Sequence, residues 1–127
     1  MKNILASFAL IVVLLLESCK SVEKPESMPQ DPHSFSTPSA ARVTHLHWNA
    51  FVDFDRRVIK ATATWDVEIT PDTDVIILDT KGLEIKGITL GEHQPTEFRL
   101  SEPDSLLGQA LAIMVQPGTK RINIEYQ

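Results

Sequence analysis

Two histidines two residues apart stand in the stretch Thr44-His45-Leu46-His47-Trp48. On an extended strand, residues i and i+2 project from one face, so His45 and His47 can offer two imidazoles to one metal ion. A metal site needs further ligands. Asp53, Asp66 or Glu68 supplies one only where strand register brings it alongside, and no H-E-x-x-H or comparable ligand spacing accompanies the pair. The expectation is therefore a pair of surface histidines on a polar sheet face. His33 and His93 fall in a proline-rich segment and in a turn, where exposure is the ordinary state. Carboxylates pair at Asp53/Asp55 and Asp72/Asp74, both beside turns, where an Asp side chain bonds nearby backbone amides. Neither a G-x-S-x-G nucleophile turn nor a glycine-rich phosphate cradle occurs. No catalytic or metal residue is assigned.

The only cysteine is Cys19, and its position carries more information than its number. It follows Met1-Lys2-Asn3 and the run Ile4 to Leu16, which holds nothing more polar than Ser7. A bilayer-spanning helix needs about 20 apolar residues, so this shorter run fits the apolar region of a secretory signal peptide. Leu16-Glu17-Ser18-Cys19 resembles a bacterial lipobox, with an apolar residue three before the cysteine and a small one directly before it. Glu17 departs from the small or apolar residue usual at its place. The resemblance implies cleavage before Cys19 and acylation of its sulfur, which leaves no free thiol. More than one acyl chain would hold the protein firmly on a membrane face. The expected location is the bacterial cell envelope, lipid-anchored outside the cytoplasm. With 12 Lys and Arg scattered among 17 Asp and Glu, a net charge of −5 provides no basic stripe for a phosphate backbone. Nucleic acid is excluded as an expected partner.

Residues 1–18 thus read as a lipoprotein signal peptide. Residues 19–40 follow as lipidated cysteine and tether, the latter carrying Pro25, Pro29, Pro32 and Pro38. From Ala41 the period is two. Leu46, Trp48, Ala50, Val52 and Phe54 alternate with His45, His47, Asn49 and Asp53, and Ile59, Ala61, Ala63, Trp65, Val67 and Ile69 alternate with polar residues after a turn at Asp55-Arg56. Val75 to Leu78 and the segment from Leu83 to Leu90 read as two strands of a hairpin turning at Asp79-Thr80-Lys81-Gly82, with a bulge at Gly87. Phe98 to Leu100, Leu107 to Val115 and Ile122 to Tyr126 complete about seven strands, the last two joined at Pro117-Gly118. The fold class is all-β, an antiparallel sandwich or saddle-like pair of sheets. Because the last strand runs to Gln127 and the two tryptophans promise a large apolar face, residues 41–127 are expected to be an incomplete domain that something else covers.

Ile77 to Ile85, "ILDTKGLEI", together with Asp31 to Ile69, resembles the N-terminal domain of the zinc aminopeptidases of the aminopeptidase N and leukotriene hydrolase family. The likeness is greatest to the leukotriene hydrolase branch, through "HLH", "VDF", the arginine pair Arg56-Arg57 and "LDTK" in that order. Ala61 stands where the family commonly has glycine. The resemblance implies a metallopeptidase whose zinc is held by H-E-x-x-H and a later Glu, and whose G-x-M-E-N segment recognises the substrate's amino group. Neither motif occurs in these 127 residues, so no family ligand transfers to any position and zinc is a cofactor of the complete family members only. The resulting expectation is a non-catalytic β-domain, truncated before a downstream catalytic domain and inactive alone. The alternative is a small surface lipoprotein sandwich acting as a binding module. In a bacterial host, Cys19→Ser should move the protein from the membrane fraction to the soluble one, and unchanged partitioning would exclude lipid anchoring through Cys19.

Overall fold

The computed structural model describes residues 31–127, so the expected signal segment, Cys19 and the first part of the expected tether lie outside the described residues. Eight strands follow: β1 (Ala41–Asp53), β2 (Val58–Ile69), β3 (Val75–Thr80), β4 (Ile85–Leu90), β5 (Gln94–Pro95), β6 (Phe98–Leu100), β7 (Gln109–Met114) and β8 (Arg121–Tyr126). They form a five-stranded sheet in the order β1-β2-β8-β4-β5 and a three-stranded sheet in the order β3-β7-β6. Every strand pairing is antiparallel. The described chain is all-β, as its alternating pattern requires.

The long hairpin β1–β2 turns through Asp53, whose carboxylate accepts the Arg56 N–H at 2.9 Å. Register slips between Val43 and His45. Beyond that bulge Leu46, Trp48, Ala50 and Val52 lie opposite Trp65, Ala63, Ala61 and Ile59. Directly opposed residues share a face, so one apolar surface runs across the hairpin. It continues through Ile122, Ile124 and Tyr126 of β8 onto Leu90, Ile88 and Ile85 of β4. The register of β4 slips between Ile85 and Gly87, which is the bulge the phase change announced.

The expected hairpin at Asp79–Gly82 is not one. β3 pairs with β7 in the small sheet, whereas β4 pairs with β8 in the large one, so Lys81–Glu84 is a crossover between layers. Side-by-side pairing would have left both apolar runs on one sheet with nothing above them. Facing each other across the sandwich, both are buried. Four extended residues reach about 13 Å, enough to cross the roughly 10 Å between packed sheets. Two smaller differences accompany it: Gln94–Pro95 adds a short strand beside Thr89 and Leu90, and β7 starts at Gln109 rather than Leu107. Before β7, Gly108 sits at φ +85°, and a Cβ there would meet the Thr80 carbonyl oxygen at 2.2 Å. Only glycine fits that approach.

The core lies between the sheets. Val67, Ile88, Leu90, Ile122 and Ile124 of the large sheet pack with Ile76, Leu111 and Ile113 of the small one, and Ile113 and Ile122 are 0% exposed. Each such side chain contributes about 1.5–3 kcal/mol by its burial. Three strands cover only part of five. Trp48 is 52% exposed, and Leu46, Val52 and Ile59 are exposed beside it, although all four lie on the face that forms the core.

Candidate functional site

The polar face of the large sheet carries His45 and His47. β-alternation puts them opposite Asp66 and Thr64, on the side away from the core. Both are exposed. Asp66 is engaged elsewhere: its carboxylate accepts the Arg121 Nε–H at 2.9 Å, and this bond holds the carboxyl below its ordinary range and the guanidinium above its own. Arg42 pairs with Glu68 further along the same hairpin. The Thr64 hydroxyl donates to the Asn123 side-chain oxygen at 2.9 Å, and the Asn123 amide donates on to Thr89 and to the Gly91 carbonyl. This surface is a ladder of cross-strand polar pairs. Exposed ion pairs of this kind add little stability.

A family zinc ion does not fit here. Among the described residues no three His, Cys, Asp or Glu side chains come together as a metal site, and the carboxylate facing His45 is bonded to a guanidinium. The carboxylate pairs at turns are also spoken for in part, with Asp53 capping Arg56. Asp104 accepts the Leu106 and Leu107 N–H groups at 2.8 and 2.7 Å, and those two bonds hold its carboxyl below the ordinary range.

The inner side is different in kind. Where the small sheet stops short, an apolar cleft of about 580 Å³ opens between the layers. Its walls include Val43, Trp65, Val67, Ile76, Leu78 and Leu111. Ser36, Thr37 and Pro38 of the segment before β1 stand at its rim, and Asp79 lies beside them. Sequence patterning could not reveal the cleft, because it depends on which strands stack. Nor did it single out Asp79, which reads as a turn residue until the crossover is known. Next to the cleft lies the exposed ledge of Leu46, Trp48, Val52 and Ile59, across which the Trp48 Nε1–H donates to the Tyr126 hydroxyl at 2.8 Å.

The fold and its half-covered face can be set beside known proteins. Searched against protein-family models, the chain matches none. Among curated proteins it is 36% identical over 84 residues to leukotriene A-4 hydrolase of Xenopus laevis, covering 65% of this chain and 14% of that enzyme. Its matches fall on the N-terminal region of leukotriene A-4 hydrolase and leucine aminopeptidase 2. Leucine aminopeptidase 2-2 of Scheffersomyces stipitis aligns over 103 residues at 27% identity, covering 80% of this chain and 16% of its own length. The fold agrees: yeast LTA4 hydrolase solved with bestatin superposes with a TM-score of 0.71 at 21% identity, over 81% of this chain and 17% of that one. The chain thus spans about one sixth or less of the hydrolases and aminopeptidases it matches.

The full chain, dialysed without chelator, should retain no stoichiometric zinc by metal analysis. Zinc that survives dialysis and disappears in His45→Ala would show that the histidine pair finds a third ligand after all.

Proposed function

We propose that the chain is the non-catalytic N-terminal β-domain of a membrane-anchored zinc aminopeptidase of the hydrolase–aminopeptidase kind, held in the bacterial cell envelope by lipid on Cys19 and inactive alone. The observation that carries this reading is where its likeness falls, on the N-terminal region of enzymes six or more times its aligned length. The half-covered sheet supports it. Trp48, Leu46, Val52 and Ile59 continue the core face past the last strand of the small sheet, and water-exposed apolar surface of that continuity marks a place for further polypeptide. On this reading that polypeptide includes a downstream catalytic domain, and peptide hydrolysis and zinc belong to it. The described residues supply a scaffold.

A second reading, a stand-alone surface lipoprotein sandwich that binds a partner, draws on one observation, the apolar cleft between the sheets. The coding sequence distinguishes the two. Read past the Gln127 codon, it should contain an H-E-x-x-H, in frame or displaced by a frameshift, and unrelated sequence would favour the binding module. The purified chain should release no amino acid from aminoacyl arylamides; turnover that survives removal of contaminating peptidases would contradict the proposal.

A further inference from the structure

The segment before β1 is not simply a lead-in. Asp79, near the end of β3, accepts the Phe35 N–H on Oδ1 at 2.8 Å and the Ser34 hydroxyl on Oδ2 at 2.6 Å. The Ser34 Oγ in turn accepts the Ser36 N–H at 3.0 Å and lies 2.6 Å from the Ser36 hydroxyl. One carboxylate therefore holds two consecutive residues more than forty positions away in sequence, and Ser36 through Ser34. Either end of this strap is closed by a turn: Ser34 N–H donates to the Asp31 carbonyl, and the Ala40 and Ala41 N–H groups both donate to that of Thr37. Between those turns, Ser36, Thr37 and Pro38 lie along the rim of the inter-sheet cleft.

We propose that residues 34–38 form a lid over the apolar cleft and that Asp79 is its latch. Three features carry the inference. The latch is a charge-assisted pair of bonds, stronger than neutral ones. It is the strap's side-chain attachment to the sandwich upstream of Thr37 among the described residues, so its loss frees the strap while leaving the sheets intact. Finally, what lies beneath is apolar and includes Val67, Ile76 and Leu111 of the core, so an opened lid exposes that wall to solvent. The segment leading to the anchor and the mouth of the cleft are thereby coupled: whatever pulls Ser34 off Asp79 opens the cleft.

The full chain in a Trp48→Phe background tests this, because Trp65, a wall of the cleft, is then the sole tryptophan. Hydrogen exchange at the Phe35 amide reports the latch, and acrylamide quenching of Trp65 reports the cleft. Asp79→Ala should speed exchange at Phe35 about tenfold or more, the loss expected for bonds to a charged group. Trp65 quenching should rise about twofold, while the β3–β7 amides keep their protection. Asp79→Asn, which keeps one acceptor, should fall between. An unprotected Phe35 amide in the parent chain would overturn the latch. Faster exchange with unchanged Trp65 quenching would overturn the lid. Should Asp79→Ala also loosen β3–β7, Ser34→Ala decides, since it leaves β3 untouched: faster exchange at Phe35 supports the latch and an unchanged rate overturns it.

Discussion

The core of this fold depends on Ile113 of the small sheet and Ile122 of the large one both being buried between the layers, and Lys81–Glu84 is one of the segments that carry the chain from one sheet to the other. Were β3 and β4 neighbours in one sheet, their apolar residues would share a face with nothing above it. The crossover turns two apolar runs into opposing walls. It also explains Gly108, whose missing Cβ lets the loop before β7 close against the Thr80 carbonyl where β3 ends. The Lys81 ammonium ties the same corner by donating to the Ser105 and Leu106 carbonyls at 3.3 and 2.9 Å. This corner is one of the places where the chain changes layer, and the stacking of the layers decides which apolar residues are left outside.

Those outside residues connect packing to function. The large sheet presents one apolar face from β1 to β4, yet the small sheet covers the β8 and β4 side and the second half of β2. β1 ends the sheet without an outer neighbour among the described strands, and a long edge strand with exposed apolar side chains invites further contact. Position within the matched enzymes supports the same view, since the match falls on their N-terminal region and covers a small share of their length. The opposite, polar face is closed in a different sense. Its charges are matched across strands by Arg42 with Glu68 and Arg121 with Asp66, and among the described residues no third ligand joins His45 and His47.

The strands of this fold were legible in the sequence because their signal is local. A period of two places Leu46, Trp48, Ala50 and Val52 on one face whatever lies above them, and the slip at Gly87 marks a bulge wherever β4 pairs. Layer assignment was not legible. "DTKG" suits a tight hairpin and a crossover equally well, and only long-range packing separates them. The same limit hid the cleft and the role of Asp79, whose partners Ser34 and Phe35 lie in a proline-rich stretch that composition describes as tether. Trp48 is the instructive case. Its alternation assigns it correctly to the core-forming face, but alternation does not count the strands available to cover that face.

The central claim is that one continuous apolar face is buried at one end and uncovered at the other. Urea unfolding of the full chain compares the two ends directly through Ile122→Ala and Leu46→Ala, both on that face. Ile122→Ala should cost about 2–5 kcal/mol, the loss typical of a fully buried aliphatic side chain, and Leu46→Ala less than about 1 kcal/mol. Equal large losses at both positions would contradict the account, because they would mean that the β1 ledge is already covered within this chain.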